Sequence, residues 1–349
     1  MVLGDVEREA QVRKGRLLDA RILDLGERAS AIERQGFDAI WVGDNSHDPF
    51  LQVLRANDAT DSVTLGTAVA IALARSPMTV AMSAWDLAGY TNGRFVLGLG
   101  SQVKAHIERR FSMPWNEPIG RMREYVAAIR AVWSSWADGT KLDFRGDHYQ
   151  HTLMPPFFAP EPIEVPRPQI FLAGVGPAMT KVAGEAYDGF IAHPFSTERF
   201  LRQHTLPALA EGRRLRGLAD LADFTVVLNP FVAVGRSEDE VAVAIEATRA
   251  QLAFYGSTPS YRAVLDAHGW GELQTDLTRL AREGRWAEQA RLIDDDVLRT
   301  FALVGNPDEV VQQFDDRFGD IAGEVTFDAP YPASAETWSE LAAALDRMP

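Results

Sequence analysis

A (β/α)8 barrel is the fold class this sequence predicts, and three observations predict it. Eight short apolar runs alternate with helical segments between residues 17 and 327. The connections are short except near 140–168 and 256–300, and no linker-like tract separates domains, so residues 1–349 read as one barrel domain with two insertions. Both glycine-bearing strand ends, Gly98-Leu99-Gly100 and Gly174-Val175-Gly176, lack the third glycine of a dinucleotide fingerprint. Val103 and Met179 stand there instead, which removes the main support for a doubly wound sheet.

The elements follow in order. The first strand is read at Leu17–Ile22, although Asp19 and Arg21 alternate with its apolar positions. A helix over Gly26–Gln35 is stopped by Gly36. The run Ala39–Gly43 is short and apolar, as a buried parallel strand is. Leu51–Ala59 is helical, and Val63–Ile71 is a third strand rich in β-branched residues. Ser76-Pro77 puts a capping serine before proline at the first helical position, opening a helix that runs to about Gly89. Phe95–Gly100 is the fourth strand and Arg121–Trp133 the helix after its loop. Proline breaks up 140–168, which reads as a surface excursion.

Alternation resumes with strand Gln169–Ala173, a helix from Pro177, strand Gly189–Ala192, helix Glu198–Leu215 and strand Phe224–Val234. Ser237 and Glu240 have capping-box spacing. The second insertion is irregular and helical and carries Tyr261, Trp270 and Trp286. Asn306-Pro307-Asp308-Glu309 opens a last capped helix before strand Glu324–Phe327.

Composition narrows the function. With 46% hydrophobic and 24% charged residues the chain is a globular protein, and no apolar run is long enough to span a bilayer. The opening MVLGDVEREA has acids where a signal peptide is basic and then apolar, so a cytoplasmic location is expected. Without cysteine there is no disulfide, thiol nucleophile or thiolate zinc site, and the seven histidines show no HExxH pairing, so no metal is expected. A net charge of −14 weighs against nucleic acid or anionic membrane as partner. A small-molecule substrate is expected, with a homodimer left open.

In such a barrel the C-terminal strand ends meet at one face, where sites are built. The chain supplies Asp44, Asn45 and His47 after the second strand, the Ala68-Val69-Ala70 region of the third, Gln102, Lys104 and His106 after the fourth, Gly174–Gly176 after the fifth and His193 after the sixth. Three of seven histidines fall at these ends; His148, His151, His204 and His268 read as structural or surface groups. Ala173-Gly174-Val175-Gly176-Pro177 carries a strand through a glycine turn into a helix with proline at its first position. That arrangement suits a phosphate, or serves only as a tight turn. Lys104, Arg109 and Arg110 form a basic cluster beside the face, which also reads as a solvated helix surface paired with Glu108.

The segments FDAIWVGDNSHDPF at 37–50, LGTAVAIALARSP at 65–77, GRFVLGLGSQVKAHIERRFSMPW at 93–115, AGVGPAMTKVAGEAYDGF at 173–190, AFYGSTPSYRAVLDAHGWG at 253–271 and VGNPDEV at 304–310 resemble the luciferase-like monooxygenase superfamily, in its coenzyme F420-dependent oxidoreductase branch. The resemblance implies hydride transfer between a deazaflavin ring and a small organic substrate; FMN with oxygen, or a non-catalytic cofactor-binding barrel, are the alternatives. It implies that Ala68-Val69 is a non-proline cis peptide backing the ring, that Ala173, Gly174, Val175 and Gly176 hold the phosphate, and that Asp44, Asn45 and His106 line the ring's polar edge. Gln102, Lys104 and His193 complete the cofactor contacts. His47, or failing that His106, is the proton-exchanging group, imidazole titrating near neutrality.

Three departures stand out. Many relatives with this cofactor have histidine directly after the strand-two acid, where this chain has Asn45, with its imidazole two residues later at His47. Val103 takes the place of a carboxylate used as acid by sugar-oxidising relatives, and residues 1–23 do not match the usual first strand.

Overall fold

The computed structural model describes residues 11–348 apart from Ala219. Eight parallel strands close on themselves: β1 Arg13–Leu18, β2 Ala39–Val42, β3 Thr64–Thr67, β4 Phe95–Gly100, β5 Gln169–Gly174, β6 Gly189–Ala192, β7 Thr225–Leu228 and β8 Glu324–Thr326. Each pairs with its sequence neighbour, and β8 pairs with β1 to complete the ring. The residues 1–10 that precede this barrel lie outside the described residues.

The first strand lies four residues earlier than the apolar pattern suggests. Within β1, Lys14 is buried and its ammonium pairs with Asp346, 332 residues away, while Gly15 faces Trp41, Glu324 and Thr326. Neither polar Lys14 nor side-chain-free Gly15 reads as strand core, so the alternation that follows misleads. The third strand is also interrupted: the Ala68–Val69 peptide is cis, and the chain resumes at Ala70–Ile71 beside the end of β4.

The seventh run is two strands. Asn229-Pro230 ends β7, and Phe231–Val234 leaves the barrel to pair with Ala302–Gly305. Proline lacks the N–H that a continuing ladder would use. The segment Glu198–Leu215 is helical throughout but contains a π turn at Leu201–Thr205. Ser237 caps the helix Glu238–Gly256 by accepting the Glu240 N–H at 3.3 Å. The Glu240 carboxylate reaches one residue further back, to the Arg236 N–H, so the box is not reciprocal. Asn306 and Glu309 do form the full box.

The two insertions behave differently. The 140–168 excursion packs on the outer helices, its short hairpin held where Glu124 accepts the Asp147 and His148 N–H groups and Trp85 Nε1 donates to Glu161 O at 3.2 Å. The segment after Gly256 folds into short helices with an apolar cluster of its own, in which Phe195, Phe231, Leu277 and Phe301 are buried. That cluster sits behind the ends of β6 and β7.

Large and small side chains alternate in the lumen. Trp41, Val96, Phe171, Ile191 and Val227 fill it, and a methyl group on Gly66 would meet the Trp41 ring. Glu324 is buried here, accepting from Trp41 Nε1, with Arg13 at 3.6 Å. Burial outweighs Arg13 and Trp41 and pushes its carboxyl up to about 7 from 4.5. The folded state thus holds this proton more tightly than the unfolded chain does. The contribution to stability is full below about 4.5 and lost as pH rises through about 7. Denaturant midpoints are expected to fall between roughly pH 5 and pH 8, and Glu324→Gln, which keeps an acceptor for Trp41, to flatten that fall. A wild-type midpoint constant over that range would contradict the assignment.

Candidate active site

The lumen cluster is capped toward the C-terminal face by partly exposed Leu17, Ala68, Val69 and Ala173. These four make an apolar floor, and the strand-end loops stand around it.

Asp44 follows β2 and is buried, its side chain 7% exposed. One carboxylate oxygen accepts the Ile71 N–H at 3.0 Å and a nitrogen of Arg75, whose other terminal nitrogen binds Asp48 at 3.0 Å. Burial disfavours charge on Arg75, but the two carboxylates outweigh it and raise its pKa. Asp44 N also donates to Val69 O at 3.3 Å. The acid therefore ties the end of β2 to the chain that follows the cis peptide. Arg75 was missed in the sequence because its partners lie 27 and 31 residues back.

Asn45 is exposed and its carbonyl accepts from Arg110, so the loops after β2 and β4 are joined through one of the basic residues at the face. His47 is half-buried. Its imidazole makes no hydrogen bond or ion pair among the described residues, while its carbonyl accepts from Gln52 at 3.3 Å. Asp48 caps the helix Pro49–Asn57 through the Phe50 N–H at 2.9 Å.

After β4, Gln102 takes a left-handed conformation with φ 60° and turns its amide oxygen onto the Val103 N–H at 2.9 Å. Lys104 is exposed, with Glu108 3.7 Å away, and His106 is exposed on the short helix Lys104–Arg109. After β5, Gly174–Gly176 leads into the helix Pro177–Ala186 with no side chain capping its first turn. A methyl group on Gly176 would meet no atom within 4 Å. Space is open there, in front of free N–H groups.

His193, after β6, differs from the other two site histidines. Phe195 N donates to its Nδ1 at 3.0 Å, and its Nε2 lies 2.9 Å from Tyr261 Oη, so both ring nitrogens are engaged by the protein. Burial lowers its pKa to about 4. The next two strand ends carry groups that sequence reasoning did not single out. Asn229 donates to Ala192 O at 3.0 Å and keeps a buried carbonyl oxygen without a partner; Asp328 is pushed up to about 6 by burial. Asp328 directly follows the run Glu324–Phe327, which was the available signal there, whereas Asn229 lies inside the run Phe224–Val234, where only the Asn229-Pro230 pair marked a break. His268 is held structurally, by Thr197 at 2.8 Å and stacked on Trp270.

Among the described residues no cluster of His, Asp and Glu could hold a metal ion, and no helix is long and apolar enough to cross a membrane. The arrangement is an apolar floor with a glycine turn on one side, a pinned carboxylate and two accessible imidazoles on another, and an aromatic wall on a third. It suits a flat, phosphate-bearing ring system.

Residues 6–322 match the family model described as luciferase-like monooxygenase. An uncharacterized protein of Mycobacterium tuberculosis is 50% identical over 288 residues, covering 81% of this chain and 83% of its own. An F420-dependent glucose-6-phosphate dehydrogenase of Amycolatopsis mediterranei is 27% identical over 309 residues, 83% of each chain. The coenzyme F420 dependent tetrahydromethanopterin reductase of Methanopyrus kandleri shares the fold, with TM-score 0.80 over 95% of this chain and 98% of its own at 21% identity.

Proposed function

Because this chain belongs to the luciferase-like monooxygenase family, we propose that it is a cytoplasmic F420-dependent oxidoreductase acting on a small organic substrate. The choice of deazaflavin over FMN is carried by one observation: relatives named for F420 align along most of the chain, such as the Amycolatopsis dehydrogenase over 83% of it. When bound, F420 supplies two-electron hydride chemistry.

The residues present fit such a group. Leu17, Ala68, Val69 and Ala173 offer a flat apolar floor for the tricycle, and Gly174–Gly176 leave the helix start at Pro177 open to a phosphate. Asp44 keeps the Ala68–Val69 wall in place through Ile71 and Arg75. Asn45, Gln102 and His106 border the ring's polar edge, and exposed Lys104 is available to the acidic tail. His47, with an unengaged imidazole, takes up or gives the proton that accompanies hydride transfer.

Fluorescence titration of the purified protein with F420 and with FMN tests the cofactor. Saturable F420 binding with weaker FMN binding is expected; failure of both rules out the reading, and preference for FMN favours the oxygen-using alternative. His47→Ala is expected to bind F420 as the wild type does and to lose about a hundredfold in turnover. Full turnover with bound cofactor would remove His47 from the mechanism.

A further inference from the structure

The lip between β6 and β8 carries polar groups that this reading leaves unused. We propose that Tyr261 donates a hydrogen bond to an oxygen of the substrate, which is accordingly a neutral molecule bearing a carbonyl or hydroxyl group. The proposal rests on the reading above only in taking cofactor and substrate to meet at the C-terminal face, where this lip lies.

His193 Nδ1 accepts the Phe195 N–H at 3.0 Å, and a backbone N–H only donates, so Nδ1 carries a lone pair. Burial keeps the ring neutral by lowering its pKa to about 4, so its one proton is on Nε2. Nε2 is 2.9 Å from Tyr261 Oη; the imidazole therefore donates and the phenol oxygen accepts. The phenolic hydrogen is left without an acceptor among the described residues. Burial, with Tyr255 adding to it, raises the phenol to about 12, so Tyr261 stays protonated and acts as a donor.

Asn229 supplies an independent observation. Its side-chain oxygen is buried without a partner, while its nitrogen is fixed on Ala192 O, the residue before His193. Buried polar atoms are seldom left unsatisfied. A spare donor on Tyr261, held against the end of β6 by His193, thus accompanies a spare acceptor on Asn229 at the end of β7.

The surroundings define the rest of the ligand. The rings of His193, Phe195 and Tyr255 lie 4.4, 5.9 and 6.1 Å from that of Tyr261; Phe195 is buried behind them, which leaves half-buried Tyr255 and Tyr261 as the aromatic faces for a hydrocarbon or aromatic body. Asp328, whose charge bears on Tyr255, has no ion-pair partner among the described residues, which disfavours an anionic substrate on this side. Tyr261 is the substrate-binding group and His193 the residue that positions it.

Binding of 4-fluoroacetophenone and of oxygen-free 4-fluoroethylbenzene, followed by 19F NMR with wild type and Tyr261→Phe in the presence and absence of F420, tests this. The wild type is expected to prefer the ketone by about tenfold and Tyr261→Phe to lose the preference with hydrocarbon binding unchanged. No preference in the wild type, including no binding of either probe, or a preference that survives in Tyr261→Phe, overturns the proposal. Long-range 1H–15N spectra are expected to show His193 neutral with its proton on Nε2; a proton on Nδ1 would also overturn it. F420 fluorescence titration of the same samples separates the two readings. Ketone preference without F420 binding removes the cofactor assignment alone, and F420 binding without ketone preference removes the Tyr261 assignment alone.

Discussion

Asp44→Ala is expected to cost about 3 kcal/mol of folding stability and to weaken F420 binding at least tenfold. Removing one partner of a buried ion pair typically costs about 3–5 kcal/mol, because the other charge is left uncompensated. The lower end applies, since Arg75 is 19% exposed and keeps Asp48 as a partner. Part of the cost is the Ile71 N–H, which loses its acceptor in a buried position. Asp44→Asn keeps an oxygen for that N–H and is expected to cost roughly half as much. Asp48→Asn is the control: Asp48 is 40% exposed and asparagine caps a helix as well as aspartate does, so a loss under about 1 kcal/mol is expected. Denaturant midpoints with F420 titrations of each variant check the series. An Asp44→Ala protein with wild-type midpoint and affinity would mean that the pair neither holds the wall nor shapes the site.

The same residue shows how far sequence carries and where it stops. Asp44 was legible because a strong apolar run, Ala39–Val42, ends with one residue between them, and similarly Gln102 is separated by one residue from Phe95–Gly100 and His193 directly follows Gly189–Ala192. Local signals also carried the helix starts at Ser76-Pro77 and Asn306-Pro307, where the capping groups are neighbours in sequence. What was not legible depends on distant partners. Arg75 becomes part of the site through Asp44 and Asp48, and Tyr261 through His193, 68 residues earlier. Lys14 and Gly15 belong to β1 because Asp346, Trp41 and Glu324 close around them, none of which is near in sequence. Lys104, Arg109 and Arg110 look alike in sequence, but Arg110 spends its guanidinium on the Asn45 carbonyl while Lys104 faces Glu108. Charge alone does not distinguish these roles; loop packing does.

Two glycines at the site separate folding from binding. Gly98 faces the lumen, and a methyl group there would overlap the Thr67 carbonyl oxygen, with Ile191 Cδ1 a further contact at 2.8 Å. Neither side has room to yield easily. The oxygen belongs to the backbone, and Thr67 is locked to Gly98 by two hydrogen bonds, Oγ1–H to Gly98 O at 2.7 Å and Gly98 N–H to Oγ1 at 2.9 Å. Gly98→Ala is therefore expected to destabilise the barrel by about 3 kcal/mol, the upper end for overpacking. It is also expected to weaken F420 binding, because Thr67 directly precedes Ala68 and Val69. Gly176→Ala is expected to behave in the opposite way. Its φ of −80° suits alanine and no atom lies within 4 Å of the added methyl, so stability should change by at most about 1 kcal/mol. F420 affinity should nevertheless fall about tenfold, as the methyl occupies space in front of the free N–H groups. Melting and titration of both variants give a crossed result if the cradle is where the phosphate binds. A Gly176→Ala protein with unchanged stability and unchanged affinity would move the phosphate elsewhere on the face.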